Sequence, residues 1–167
     1  MKVLIAYTSK HGATAEIARA IEQELGLHFS QTHLSDVASV DNIADYDAVV
    51  LGSAVYAGSW MRPAYQFAKQ HADALSALPL WTFSSGPMGE PKPDSRAEPI
   101  GPSIKELMKQ LQPIGHKVFD GKLDKSKLNF AEKGIIRVVK APYGDYRDFD
   151  EVEKWAKSIV SYLKKSD

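Results

Sequence analysis

The chain has 167 residues with 21 basic and 21 acidic side chains, so its formal net charge is zero. Hydrophobic residues at 44% and charged residues at 25% are typical of a globular protein, and this length suits one domain with its own core. The absence of cysteine excludes disulfides, thiolate metal sites, iron–sulfur clusters and a cysteine nucleophile, and no apolar run approaches the roughly 18 residues of a membrane span.

The first half of the predicted order begins with a buried strand over residues 3–7, followed by a helix that ends at Gly26. An edge strand over 27–34 and a second buried strand over 47–52 come next. A helix over 63–78 follows, with Pro63 suited to its first turn.

The second half continues with a strand over 80–84, a helix around 104–111, a strand over 116–120 and a last helix over 152–163. Strands that alternate with helices predict an α/β fold. We expect a doubly wound, five-stranded parallel sheet in the order 2-1-3-4-5, with helices on both faces.

Three segments that follow predicted central strands are rich in small residues. Because ligands of such sheets bind beyond the carboxyl ends of the strands, these segments are expected to meet at one edge. The first segment joins a strand to a helix and can bind an anion through backbone N–H groups and the helix dipole. The alternative is a capped turn that binds no ligand, because serine and threonine are also common where helices begin. The first segment comprises Ser9, Lys10, His11, Gly12, Ala13 and Thr14.

The second and third segments add aromatic faces and glycines. In the second, Tyr56 and the nearby Trp60 either stack on a ligand or cover the ends of the sheet. The second segment includes Val55, Tyr56, Ala57 and Gly58. The third comprises Ser84, Ser85, Gly86, Pro87, Met88 and Gly89. Five prolines between residues 86 and 102 predict a functional loop here rather than a domain boundary.

Residues 9–14 resemble the S-x-T-G-x-T phosphate loop of the flavodoxin-like family, with His11 where many flavodoxins have threonine. The resemblance covers nearly the whole chain. Within this family the chain resembles more closely the HemG-type branch, which includes the menaquinone-dependent protoporphyrinogen dehydrogenases. The residues that carry this resemblance are 52–58, His71-Ala72, 144–149 and Trp155-Ala156.

The resemblance implies FMN as cofactor, with its phosphate on the first segment and its ring between the second and third. Tyr56 is the first candidate for ring contact and Trp60 the second. Lys10 either contributes its charge to phosphate binding or is simply solvated, and solvation is the preferred interpretation. The five histidines have no ligand spacing, and no residues are assigned as catalytic or metal-binding. Asp145, Asp148 and Asp150 are interpreted as a turn and a helix cap.

An insertion at about 123–147 follows the last strand of what we expect to be a single domain over 1–167. The apolar face of this helical segment is expected to pack on the domain. Its five basic residues are either solvated or contact an anionic membrane surface or a planar substrate. The apolar face comprises Leu128, Ala131, Ile135, Val138 and Val139; the basic residues are Lys125, Lys127, Lys133, Arg137 and Lys140.

Charge is divided unevenly along the chain. Residues 1–100 contain 7 basic and 11 acidic side chains, a net charge of −4, whereas residues 101–167 contain 14 and 10, a net charge of +4. The basic half can attract an anionic partner or a membrane surface. Alternatively, its lysines are simply solvated, because a solvated surface has the same composition. Since residues 1–7 are too short for a signal peptide, we expect a cytoplasmic protein, with peripheral contact at the inner face of the membrane left open.

Three functions remain open at this point. The first is an FMN-dependent oxidoreductase that oxidises protoporphyrinogen, a tetrapyrrole, or a similar substrate and reduces a quinone. The second is a flavodoxin-type electron carrier for a redox partner protein. The third, a cofactor-free binding module, fits less well, because Thr8-Ser9 and Ser53-Ala54 stand where response regulators need acidic residues. No nucleic-acid partner is indicated.

Overall fold

The computed structural model describes residues 1–56, 58–86, 101–139 and 143–166. Its strands are β1 (Lys2–Thr8), β2 (Gln31–Asp36), β3 (Ala48–Tyr56), β4 (Ser59–Trp60), β5 (Leu80–Ser85), β6 (Gly115–Phe119), β7 (Lys122–Leu123) and β8 (Gly144–Asp145). Its helices are α1 (Ala13–Gly26), α2 (Arg62–Gln70), α3 (Ala72–Ser76), α4 (Pro102–Leu111), α5 (Phe130–Val139) and α6 (Phe149–Ser166).

The five long strands form a parallel sheet in the order β2-β1-β3-β5-β6. Counting only these strands, this is the predicted order 2-1-3-4-5, and the doubly wound fold is confirmed. The central strands are buried on both faces, which explains why they were recognisable as continuous apolar runs.

Two apolar clusters lie on opposite faces of the sheet. Alternation along β1 directs Val3 and Ile5 to the cluster beneath α1 and α6, and Leu4 and Ala6 to the cluster beneath α2, α3 and α4. The sheet is therefore fixed from both sides, and its carboxyl edge is a rigid base for the segments that follow β1, β3 and β5.

Gly52 is required by a close approach inside the sheet. A Cβ at this position would lie 2.0 Å from the ring of Phe83, which is fully buried. That ring also packs edge-on against Phe119 and Trp155. A larger residue at 52 would therefore have to displace the aromatic core, a cost of roughly 1–3 kcal/mol.

Two predicted boundaries at the start of the chain differ from the structure. The edge strand begins at Gln31 rather than at residue 27, because the N–H groups of Leu27, His28 and Phe29 bond back to carbonyls of α1. The helix predicted over 63–78 is two helices that meet at His71, whose φ of −106° and ψ of 18° are not helical. This bend lets α2 and α3 both contribute to one apolar cluster.

The second of the three loop segments is also more regular than predicted. β3 continues to Tyr56 and forms an antiparallel hairpin with β4, in which Val55 pairs with Trp60 and Tyr56 with Ser59. Cross-strand pairing of large side chains stabilises this extension. No helix within the described ranges is both long and apolar enough to cross a membrane.

Candidate functional site

The first segment turns sharply from β1 into α1 at the carboxyl edge of the sheet. Gly12 adopts a φ of 91°, and its N–H donates to Oγ of Ser9 at 3.0 Å. The positive φ favours glycine at this position. The backbone N–H groups at the start of α1 and the positive end of its dipole lie at this turn, so the geometry suits an anion.

Thr8, the last residue of β1, has a buried hydroxyl without a hydrogen-bond partner. Its side chain is 3% exposed, and neighbouring Thr14 is 1% exposed. A buried polar atom without a partner is uncommon, and a bound ligand is one physical reason for it. Thr8 was not among the predicted site residues, although a hydroxyl at the end of a buried strand was the available signal.

The second segment lies close to the first. Tyr56 is 45% exposed, and Nζ of Lys10 lies 5.9 Å from the centroid of its ring. Partial burial raises the pKa of the Tyr56 hydroxyl. Gly58 has a φ of 74°, while Ala57 lies outside the described residues. Tyr56 is thus both accessible to a ligand and adjacent to residues 9–14, the predicted phosphate loop.

Trp60 differs from the expectation of ring contact. It is 4% exposed, and its indole Nε1 donates to Oγ of Ser84 at 2.8 Å. Trp60 therefore covers the end of the sheet, the other role considered for it, and Tyr56 is the better candidate for stacking.

The third segment starts at the end of β5 beside the second. Ser84 and Ser85 are buried, and Gly86, with a φ of 85°, donates its N–H to the carbonyl of Phe119 at 3.0 Å. A Cβ on Gly86 would lie 3.9 Å from the carbonyl oxygen of Val55. The two segments are therefore neighbours, and the predicted residues Pro87, Met88 and Gly89 lie outside the described ranges.

A buried polar network lies beneath these segments. Nδ1 of His116 is 2.8 Å from Oγ1 of Thr82, and Nε2 is 3.4 Å from Oγ of Ser84, which also accepts from Trp60. Burial lowers the pKa of His116 to about 4, so the ring is neutral at pH 7. In the described part of the chain, no three histidine or carboxylate side chains are grouped to hold a metal ion.

The insertion folds back onto the phosphate loop through Glu132. This residue forms a capping box with Asn129: Oε2 accepts from the Asn129 N–H at 2.8 Å, and the Glu132 N–H donates to Oδ1 of Asn129 at 2.9 Å. Its other oxygen, Oε1, lies 2.5 Å from Nζ of Lys10 and 3.0 Å from Nε2 of His11. Lys10 is therefore half-exposed but paired, a correction to the view of it as simply solvated.

This pairing has electrostatic consequences for both partners. The hydrogen bond from Lys10 is the main cause that lowers the pKa of Glu132 to about 2, and the same bond raises the pKa of Lys10. Lys127, from the short 3₁₀ turn Lys125–Lys127, donates to the carbonyl of His11 at 3.2 Å. The insertion thus contacts the loop with one anion and one cation.

Arg147 connects the end of the insertion to the start of α1. Its side chain is 3% exposed; it makes two hydrogen bonds to Asp145, at 2.8 and 2.7 Å, and one to Oε2 of Glu16 at 2.7 Å. Asp148 accepts from the Glu151 N–H at 3.1 Å near the start of α6, so the predicted turn and cap are both present. Neither Glu132 nor Arg147 was a predicted site residue, because no local pattern links them to a loop more than 100 residues away.

The apolar face predicted for the insertion is only partly described. Leu128 is buried and Ala131 is exposed, while the side chains of Ile135, Val138 and Val139 lie outside the described set. Elsewhere, a groove of about 350 Å³ runs between residues 37–41 and α2, and it contains none of the predicted site residues.

The family of the chain follows from its comparison with known sequences. A family profile described as "Flavodoxin domain" matches residues 4–150. The chain belongs to this flavodoxin family. Membership implies a flavin cofactor and a redox role, and the three segments lie at the sheet edge where ligands of this fold bind.

Individual relatives agree with the family. Protoporphyrinogen IX dehydrogenase [quinone] of Escherichia coli K12 is 26% identical over an alignment of 181 positions, gaps included. The alignment covers 99% of this chain and 98% of that protein. An archaeal flavodoxin superimposes with a TM-score of 0.60 at 15% identity over 98% of this chain and 99% of its own. Flavodoxin 1 of Bacillus cereus gives 0.61 at 13% identity, over 96% and 98% respectively. At such identities the structures establish the fold alone.

Proposed function

We propose that this flavodoxin-family protein binds FMN and oxidises protoporphyrinogen, or a similar reduced substrate, with a quinone as electron acceptor. The observation that supports this most directly is the full-length similarity to a quinone-dependent dehydrogenase, in a chain whose insertion docks on the predicted phosphate loop. Bound FMN would supply the redox chemistry, which the protein tunes through hydrogen bonds and charge.

The residues present fit a flavin phosphate. Residues 9–14 would hold it through backbone N–H groups, while the orphan Thr8 hydroxyl gives a further donor near the loop. The ring would lie between residues 55–58 and 84–89, in contact with the accessible face of Tyr56. The hydroxyl of buried Ser84 already accepts from Trp60. Ser84 would therefore support the ring site indirectly, by fixing the end of β5, rather than by contact with the flavin.

The insertion is also proposed to contact an anionic membrane surface through residues 123–140. Phe130 is 92% exposed at the start of α5, and Lys125 and Arg137 are exposed on the same segment. An exposed aromatic residue among basic side chains is typical of interfacial segments. A membrane contact would bring the protein to a lipid-soluble quinone, so this proposal and the choice of acceptor support each other.

The first test is the flavin itself. Purified protein is expected to be yellow or to bind added FMN, and Thr8→Val is expected to weaken FMN binding several-fold while leaving the fold intact. Because the variant removes a buried hydroxyl without a partner, its thermal stability without flavin should equal or exceed that of the wild type. A colourless protein that does not bind FMN would contradict the proposal and favour a cofactor-free module.

The second test is turnover. The flavin-loaded protein is expected to convert protoporphyrinogen to protoporphyrin with menaquinone as acceptor, followed by porphyrin fluorescence under anaerobic conditions. Absence of turnover, together with fast reduction by a flavodoxin reductase, would identify an electron carrier instead.

A further inference from the structure

Two lysines lie at the predicted phosphate loop, and they have different hydrogen-bond partners. Lys10 belongs to the loop and is paired with Glu132 at 2.5 Å. Lys127 belongs to the insertion; its Nζ donates to the carbonyl of His11, and its charge interacts with that of nearby Asp124. Of these two lysines, Lys127 is therefore the one whose ammonium group is more available to a ligand at this loop.

The position of Lys127 is fixed by its turn. Asp124 accepts from the N–H of Ser126 at 2.9 Å and from its hydroxyl at 2.6 Å, and the N–H of Lys127 donates to the carbonyl of Asp124 at 3.1 Å. From this turn the side chain of Lys127 reaches residue 11, where its Nζ donates to the carbonyl of His11 at 3.2 Å. The same Nζ would lie 3.9 Å from a Cβ on Gly12, so it is beside the sharpest part of the loop.

An ammonium group has three N–H donors, and the bond to His11 uses one of them. The other two donors remain for an anion bound at the start of α1. A phosphate monoester has a charge of roughly −1.5 to −2 at pH 7, and a charge-assisted hydrogen bond to it is about twice as strong as a neutral one.

We propose that Lys127 is the cation of the flavin phosphate site, so that the insertion forms part of the cofactor site and favours FMN over riboflavin. This inference rests on the proposed binding of FMN. It also gives the docked insertion a second role, because the same segment that is exposed to a partner through Phe130 contacts the cofactor loop through Lys127.

The test compares dissociation constants for FMN and riboflavin, measured by quenching of flavin fluorescence. Lys127→Gln is expected to weaken FMN binding about tenfold and riboflavin binding less than about twofold. Lys127→Arg should restore most of the preference. Lys125→Gln is the matched control, since Lys125 lies in the same turn but its Nζ is near the ring of Tyr143, at 5.8 Å.

The salt dependence of FMN binding is a second test of the proposed contact between Lys127 and the phosphate. Higher ionic strength should reduce the difference between wild type and Lys127→Gln for FMN and leave riboflavin unaffected. Equal ratios of FMN to riboflavin affinity in the two glutamine variants would overturn the assignment of Lys127. If the wild type bound neither flavin, the proposed function would fail as well, whereas wild-type binding with no effect at Lys127 would overturn this inference alone.

Discussion

His116 is a titratable side chain enclosed by the polar network at the end of β5. Its ring contacts the hydroxyls of Thr82 and Ser84, and Ser84 in turn accepts from Trp60 of the β3–β4 hairpin. The network therefore links two of the predicted flavin segments through the core. Because water cannot solvate a protonated imidazole in this buried environment, burial lowers the pKa of His116 to about 4.

This shift predicts a pH dependence of stability. Between the unfolded pKa of about 6.5 and the folded value of about 4, the unfolded chain binds more protons, so stability falls as pH decreases through this window. From pH 7.5 to pH 5, His116 should account for a loss of up to about 2 kcal/mol. Urea unfolding at the two pH values should show a smaller loss for His116→Gln, and identical losses in both proteins would contradict the assignment.

The insertion is the element whose structure adds most to the sequence interpretation. The amino-acid pattern predicts a basic helical segment but leaves open what it packs against. In the structure, Glu132, Lys127 and Arg147 join it to residues 10–16. The segment is thus part of the phosphate-loop surroundings rather than an independent appendage.

Glu132→Gln isolates this docking from helix formation, because glutamine at the same position retains the capping box with Asn129. We expect amide hydrogen exchange in α5 to increase by about three- to tenfold, since local opening becomes easier once the pair with Lys10 is lost. Glu153→Gln is the matched control: Glu153 pairs with Lys157 on the solvent-facing side of α6, so this variant should leave exchange in α5 unchanged.

The pair between Lys10 and Glu132 also makes the docking of the insertion sensitive to low pH. The pKa of Glu132 is lowered to about 2 in the folded protein from an ordinary value of 4.5, so its contribution is complete above about pH 4.5 and is lost as pH falls towards 2. Exchange in α5 of the wild type should approach that of Glu132→Gln over this range. A constant difference between them down to pH 2 would contradict the role of the carboxylate.

At the scale of the whole molecule, the balanced charge hides two unlike halves. The half with a net charge of −4 contains the phosphate loop and the β3–β4 hairpin, and the half with +4 contains the insertion. An acidic surface suits docking on a basic partner protein. The membrane contact proposed above would use the basic half, since a positive surface is attracted to anionic lipid.

This distribution predicts binding to anionic lipid vesicles. Phe130→Ser should reduce co-sedimentation with vesicles rich in phosphatidylglycerol by about tenfold, because burial of an aromatic side chain contributes roughly 1.5–3 kcal/mol. Leu27→Ser is the control, since Leu27 is also exposed, at 76%, but lies at the end of α1. Salt should weaken wild-type binding. An equal reduction in both variants, or no wild-type binding, would count against membrane contact through the insertion.

The sequence by itself determined the sheet and its helices. Buried strands are continuous apolar runs, and helices such as α1 show apolar spacing with a terminal glycine, so both are encoded over a few neighbouring residues. The sequence also predicts an anion site after β1, since glycine and hydroxyl residues precede a helix there. Its ligand contacts, the remaining flavin residues and the single-domain boundary stay predictions.

Only the tertiary structure decided how these pieces are used. Trp60 is buried because Ser84, from another strand, accepts its N–H, and β3 extends to Tyr56 because β4 pairs with it. Glu132 reaches Lys10 and His11 across more than 100 residues of chain. Such contacts depend on which surfaces the fold brings together, and no local periodicity encodes them, so the docked insertion and its charges at the phosphate loop became visible only in three dimensions.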